Sequence, residues 1–563
     1  MRPSAEIDVI APEELAPGYY ADNVRVVLDT VAARYRDLLR DDELALRDAF
    51  LDLSDDARRL WVRLVSRKGP LFRRDRLRYD EIDDLDAAAD GLRACGLLDD
   101  GAEASAAELL RLLVRAEVAQ LAAEATGVAP PRTAKRAELV SILVDALTPD
   151  ELALRIRQRL VVLRPCGQAR LLVYRLLFFG NLEQDWTELL LRDLGVVRYE
   201  SYELRLEHRL FASRRAIDDT LAARAARLRL RHLLERGAHD EAIALGYEVS
   251  ISSVDVDPVA RPHVDRMLAK VGRLHERRGE LEQALVLYEA SPPARERRCR
   301  VLERLGRHEE ALGLCRAMAA APRDAAEADA APKIEHRLRR ALGEKPPPRR
   351  RRRRAVDELE LERADDTVER LALAHFETQG RRGLWSENWL WRALFGLAFW
   401  DLVFAPVPGA FQHPFQLGPL DLDGPGFRAA RADAVARRLD AIRSGDGLLE
   451  RLLATAEEKR GVANRLVPWH DELESSLRFA VERVPGAALA TICERLVQDP
   501  GRHRRGLPDL FVEAPRSAGG FVLYEVKAPG DQLRPEQKAW LDHLAAHDVP
   551  ARVLRVRWRD SSR

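Results

Sequence analysis

"GLPDLFVEAPRSAGGFVLYEVKAPGDQL", residues 506–533, reads as two short apolar strands, DLFVE and FVLYEVK, joined by the polar turn APRSAGG. With a side-chain period of two, Phe521, Leu523, Glu525 and Lys527 share one face, and Val522, Tyr524 and Val526 share the other. A turn centred on Ser517 sets Glu513 opposite Phe521 and Asp509 opposite Glu525. Directly opposed carboxylates destabilise a strand pair by about the 0.2–1 kcal/mol that a favourable pair contributes, unless a cation lies between them. Oxygen ligands from two acids suit Mg2+ or Mn2+, hard ions that retain water and bind phosphates. Lys527, a point charge beside that cation, would orient or deprotonate an attacking water, or stabilise developing negative charge; spacing does not choose between these roles. The E-V-K triplet by itself equally suits an exposed hairpin with solvated ends, so the weight rests on the whole combination.

Working outward, the remaining composition bounds the rest. A chain of 563 residues is too long for one core, and about 150 residues per domain implies roughly three or four domains. Hydrophobic residues at 46%, charged residues at 33% and only 6% aromatics fit a helix-rich protein. Lys plus Arg equal Asp plus Glu at 92 each, so any surface for a polyanion must be local. Cys95, Cys166, Cys299, Cys315 and Cys493 form neither a CxxC pair nor a zinc spacing, which fits core thiols in a reducing cytoplasm. The N-terminal MRPSAEIDVIAPEEL lacks the basic and apolar regions of a signal peptide. The most apolar stretch, 384–404, is broken by Glu387, Arg392 and Asp401, so neither a membrane span nor a membrane partner is expected.

The expected organisation is mainly α and multidomain. Residues 1–115 read as a helical domain whose basic residues beside Trp61, Phe72 and Tyr79 form either a phosphate-contacting surface or an ordinary solvated face. Residues 116–215 contain a helix, a Pro130-Pro131 break and a second helix, with Thr133 as its cap and Lys135 and Arg136 as a basic entry. This hairpin resembles a SAP-type DNA-binding module. Residues 216–345 carry a degenerate repeat in which Gly237, Gly279 and Gly306 align, as do Ala242, Ala284 and Ala311. The array resembles tetratricopeptide repeats with irregular spacing and suits contact with a protein partner. Residues 346–380 read as a Pro/Arg-rich linker, with Arg349 to Arg354 adding nonspecific DNA affinity or remaining simply solvated. Residues 381–563 hold the α/β module. Arg502, His503, Arg504 and Arg505, just before Asp509, are placed to grip phosphates, and Arg555, Arg557 and Arg559 line one side of the last strand.

"GLPDL", "YEVKAPGDQL", and then Gln537 and Trp540 on the next helix resemble the VRR-NUC branch of the PD-(D/E)-x-K nucleases, a restriction-endonuclease-like α/β fold. With "WVRLVSRKGPLF", "LLFFGNLEQDWTELLLRDLGVVRYE" and "LFGLAFWDLVF", the resemblance extends across most of the chain to the bacterial Fanconi-associated nucleases. It implies a structure-specific phosphodiesterase: a 5′ flap endonuclease and 5′-to-3′ exonuclease acting on branched duplex DNA in interstrand crosslink repair, cytoplasmic and at the nucleoid. Superfamily members place a further acid on a helix before the strands. Here Glu387 and Asp401 are both available, but fourteen residues of continuous helix separate them by about 21 Å. The resemblance selects Glu387, leaving Asp401 to a cap or salt bridge. It further implies that Glu387, Asp509 and Glu525 bind one or two Mg2+ or Mn2+ ions, that Val526 lends its carbonyl, that Lys527 completes the catalytic set and that Gln537 supports it. No organic cofactor is called for. The sequence departs from the family at Arg534-Pro535, where many members cap the helix with Ser or Thr, and at Glu536, where some eukaryotic members have a basic residue for a terminal phosphate. Two other functions fit parts of the pattern: a four-way-junction-resolving nuclease, and a noncatalytic repeat scaffold carrying an inactive nuclease fold.

Overall fold

A computed structural model describes residues 18–184, 197–346, 354–387, 389–424, 426–515 and 520–559. The chain divides into two compact units between Gly195 and Val196, inside the segment 116–215 read above as one domain.

The first unit is helical, with a small sheet in the order β1-β3-β2, formed by Phe72–Arg73 (β1), Leu98–Asp99 (β2) and Val162–Pro165 (β3). Trp61 and Phe72 are not a nucleic-acid-facing pair. Trp61 is fully buried against Phe50, its indole N–H bonded to the Cys166 carbonyl, and Phe72 is buried as well. Arg73 is also buried and bonds Asp75 and Glu117 at 2.7 and 2.6 Å. The apolar periodicity that puts the aromatic rings inside explains this: Arg73, next to Phe72 in the chain, follows it in and takes acids with it. The expected helical hairpin is present as Arg115–Thr126 and Arg136–Ala146, packed through Val118, Leu121, Leu139 and Leu143. Its second helix is capped at Lys135 rather than Thr133, because Glu138 reaches back to accept from the Lys135 amide at 2.9 Å.

In the second unit, seven helices from Arg214–Glu235 to Ala325–Ala341 pack in succession. Gly237, Gly279 and Gly306 each follow a helix end, and Ala242, Ala284 and Ala311 are fully buried, so close helix approach does depend on those small side chains. Of the cysteines, Cys299, Cys315 and Cys493 are core thiols, whereas Cys95 is exposed.

The chain then builds a five-stranded mixed sheet, β4-β8-β7-β6-β5, from Ala355–Leu361 (β4), Gly383–Trp385 (β5), Leu510–Glu513 (β6), Phe521–Lys527 (β7) and Ala551–Trp558 (β8). β4 and β7 flank β8 in parallel, while β6 runs antiparallel to both β7 and β5. Glu513 pairs with Phe521 and Leu510 with Tyr524, the register expected from the hairpin; Ser517 itself lies outside the described residues.

The segment 346–380, expected as a linker, is in large part a strand and a helix. Arg349 to Arg353 lie outside the described residues, but "AVDELEL" is strand β4, and Val368–Thr378 is a helix on the sheet. The acids of β4 answer the arginines of β8: Asp357 pairs with Arg552 at 3.0 Å and Glu358 with Arg557 at 2.8 Å. Arg559 faces Glu362 at 3.4 Å. The basic rim expected on the last strand is therefore largely matched by acids, and an acidic run that looked solvated is a paired edge strand.

Both faces of the sheet are covered. Phe521, Leu523 and Phe511 meet the helices Leu390–Ala398, Leu473–Val481 and Gly486–Gln498 on one side. Val522, Tyr524 and Val526 meet Val368–Thr378 on the other, where Tyr524 stacks on Phe376 at 5.3 Å.

Candidate active site

Glu525 follows Phe521 and Leu523 on the helix-covered face of β7 and is completely buried. Its Oε1 accepts from Lys527 Nζ at 2.6 Å, while Oε2 is buried with no hydrogen-bond partner among the described residues. Asp509, 5% exposed, ends the loop entering β6, and its Oδ2 accepts from the Val526 amide at 2.7 Å. Lys527 Nζ also donates to the Val526 carbonyl at 2.9 Å.

Glu387 is not on a helix. The expected continuous helix through 384–404 is instead strand β5, a turn, and the helices Leu390–Ala398 and Trp400–Val403. β5 pairs with β6 because Leu384 and Trp385 continue the sheet's apolar faces, and this moves Glu387 into the turn just past it. The turn hangs on one atom: the Asp509 carbonyl accepts from the Ser386 amide at 2.9 Å and the Glu387 amide at 3.1 Å. Ser386 Oγ, fully buried, sits 3.3 and 3.4 Å from the Pro508 and Asp509 carbonyls. Sequence reasoning missed Ser386, for which the only signal is its place directly before Glu387. Asp401 pairs with Arg438 at 2.8 Å.

Electrostatics tie the three acids together. Burial raises the Asp509 carboxyl well above its ordinary range, and the charges of Glu525 and Glu387 add to this. Burial likewise raises Glu525 to about 7, opposed by Lys527 and by a hydrogen bond with Asp509 and reinforced by Glu387. A buried carboxylate oxygen with no donor, next to a second buried carboxylate, is costly unless a cation arrives. The donor set of carboxylates and one peptide carbonyl fits a hard divalent ion. Among the described residues no three His, Cys, Asp or Glu side chains are closed into a ligand cluster. Glu525 is held by Lys527 and Asp509 by an amide, so an ion would have to draw them over.

The other expected site residues are dispersed. His503 is buried. Its Nδ1 contacts the Arg495 carbonyl, its own carbonyl accepts from Trp540 Nε1, and burial lowers its pKa to about 4. It is a packing residue rather than a phosphate contact, since the aromatic Trp540 on the next helix draws it inward. Arg502 and Arg505 are exposed, and Arg504 is half-buried, 3.4 Å from Asp423. Gln537 Oε1 accepts from the Arg534 amide at 2.8 Å, supplying the helix cap in place of Ser or Thr. Gly506 lets that helix approach: at φ +80°, a Cβ would lie 2.7 Å from the Glu536 carbonyl carbon. Lys135 and Arg136 belong to the other compact unit. Lys135 is exposed, while the Arg136 guanidinium is engaged by the Leu110 and Leu113 carbonyls at 2.6 and 2.7 Å.

Two family profiles match the chain, that of the FAN1 HTH domain over residues 18–99 and that of the VRR-NUC domain over residues 444–558. A Fanconi-associated nuclease 1 homolog of Arabidopsis thaliana is 27% identical over 96% of this chain and 67% of its own length. A crystal structure of paFAN1 bound to a 2-nucleotide 5′ flap DNA with a gap superposes with a TM-score of 0.78 at 32% identity, covering 98% of this chain and 100% of that one. The Fanconi-associated nuclease 1 homolog of Pseudomonas aeruginosa is 34% identical over 98% of both chains. An identity of that size over nearly the full length of both sequences shows that the chain belongs to the Fanconi-associated nuclease family.

Proposed function

We propose that the chain is a divalent-metal-dependent, structure-specific DNA nuclease, a 5′ flap endonuclease with 5′-to-3′ exonuclease activity that serves interstrand crosslink repair in the cytoplasm. The observation that carries this reading is the bare, fully buried Oε2 of Glu525 beside Asp509 and the Lys527 ammonium. Family membership and the flap DNA bound in the paFAN1 structure support the substrate class.

Glu387, Asp509, Glu525 and the Val526 carbonyl would hold Mg2+ or Mn2+, which supplies Lewis-acid stabilisation of phosphoryl oxygens and a more acidic water. The chain's own contribution is positional. The Asp509 carbonyl fixes the Glu387 turn, and the Val526 amide fixes the Asp509 carboxylate. Lys527 commits two of its three N–H donors to Glu525 and Val526, leaving one for a phosphoryl oxygen or the attacking water. In-line attack of water on the phosphodiester leaves a 5′-phosphate and a 3′-hydroxyl. Residues 216–345 serve as a tetratricopeptide-like scaffold for a protein partner, and the helical segments before them contact duplex DNA through phosphates and shape.

Cleavage of labelled 5′-flap and four-way-junction substrates with Mg2+ or Mn2+, by wild type and Asp509→Ala, tests this reading. Flap cutting by wild type that disappears in the variant is expected. Preferential junction cutting would favour a resolvase, and no cutting by wild type would favour a scaffold.

A further inference from the structure

One charged side chain near the carboxylates has no role in the chemistry above. Arg392 lies in the first turn of the helix Leu390–Ala398, five residues past Glu387. Trp391, Ala393, Leu394 and Phe395 around it are buried, and Arg392 itself is half-buried. Two other arginines of this unit find acceptors, whereas Arg495, buried against the Trp540 ring, has an Nε as bare as that of Arg392. Arg431 bonds the Leu402 carbonyl at 2.7 Å and Asp421 at 2.7 Å, and Arg483 pairs with Glu513 at 3.2 Å.

Arg392 differs. Its Nε is buried with no hydrogen-bond partner among the described residues. The charge that acts on it is another cation, Arg504, which adds to burial in lowering its proton affinity from the usual arginine range. Arg504 reaches Asp423 only at 3.4 Å, and Asp423 gives its closer contact, 2.7 Å, to Arg465. Two guanidinium groups thus bear on one region, and the acid that Arg504 reaches is already shared with Arg465. A partly desolvated, unpaired cation is destabilising, and such an arrangement is retained where an anion comes from outside. Both arginines sit on the segments that position the acids, Arg392 after Glu387 and Arg504 before Asp509.

We propose that Arg392, with Arg504 beside it, is a seat for a backbone phosphate of the DNA neighbouring the one that is cut. The inference rests on the assignment of Glu387, Asp509, Glu525 and Lys527 as the cutting site. A neighbouring phosphate is indicated because Arg392 and Arg504 each stand five residues along the chain from a site acid, Arg392 after Glu387 and Arg504 before Asp509. A planar guanidinium with free donors suits two oxygens of one phosphate.

The test uses the full chain and 5′-flap DNA in Ca2+, so that binding is read without cutting. Single methylphosphonate replacements, which remove one phosphate charge each, are stepped along the strand on both sides of the cut. Wild type should lose about tenfold in affinity at one position, the size of a charge-assisted contact. Arg392→Met should lose a similar factor on unmodified DNA and nothing further at that position, with the salt slope of log K reduced by about one. It should also melt at a higher temperature than wild type, because a half-buried charge without an ion pair has been removed, whereas a purely structural arginine would lower it. If Arg392→Met folds poorly, Arg392→Lys should show the same positional loss in part. A methylphosphonate profile identical in wild type and variant, or an unchanged salt slope, would overturn the proposal. Failure of the underlying site assignment reads differently, as Asp509→Asn that still cuts flap DNA in Mg2+.

Discussion

The backbone amide of Val526 donates to Asp509 Oδ2 at 2.7 Å, so a site carboxylate is fixed by the strand that carries the other site residues. The Asp509 carbonyl in turn anchors the turn bearing Glu387. Strand register and site geometry are therefore one property, and changes to either should be felt in both.

Lys527→Met removes the donor from Glu525 Oε1 and leaves the buried carboxyl beside Asp509 and Glu387 without its cation. At pH 8 without metal the variant should be destabilised by about 1–3 kcal/mol in urea unfolding. Flap cleavage in single turnover should drop at least about a hundredfold.

Glu525→Gln removes a buried charge instead of its partner. Without metal at pH 8 it should melt higher than wild type, gain nothing from added Mn2+ and cut flap DNA at least about a hundredfold more slowly.

The raised carboxyls set the direction of the pH dependence. Folded Glu525 titrates near 7 against an ordinary 4.5, and Asp509 is shifted the same way. Over that interval the unfolded chain binds fewer protons than the folded one. Metal-free stability is then highest below the unfolded value and falls as pH rises toward 7, by on the order of 3 kcal/mol from Glu525. Mn2+ should offset this loss, so its stabilising effect in thermal melts should grow from pH 5 to pH 8.

How much of this was legible in the sequence follows from what each residue depends on. The hairpin register and the Asp509–Glu525–Lys527 grouping were readable, because alternation over a short hairpin needs no distant information. Glu387 was reached only through family resemblance and was placed on the wrong element. Its position depends on β5 pairing with β6, more than a hundred residues away, and on Ser386 hanging from the Asp509 carbonyl. His503 looked like one of four surface cations, but Trp540 from a later helix buries it. β4 looked like a solvated acidic linker, because its partners are arginines nearly two hundred residues further on.

That last point can be tested by truncation. A fragment beginning at residue 381 lacks β4 and exposes the edge of β8, whereas one beginning at residue 354 keeps the strand. The shorter fragment should be less soluble and less stable in size-exclusion and urea-unfolding measurements.

Gly506 offers a test of the loop before Asp509. Gly506→Ala places a Cβ against the Glu536 and Gln537 backbone at a φ of +80°. The substitution should destabilise the fold by about 1–3 kcal/mol and slow cleavage through displacement of Asp509, as checked by thermal melting and flap kinetics.

The most direct test of the central claim is an anomalous-scattering map from crystals of the wild-type chain grown in Mn2+. The account predicts a peak about 2.0–2.3 Å from oxygens of Asp509 and Glu525 and the Val526 carbonyl, with Glu387 turned toward it and Glu525 Oε2 no longer bare. A fully loaded crystal with no peak between these carboxylates, and with Glu525 still held only by Lys527, would contradict it.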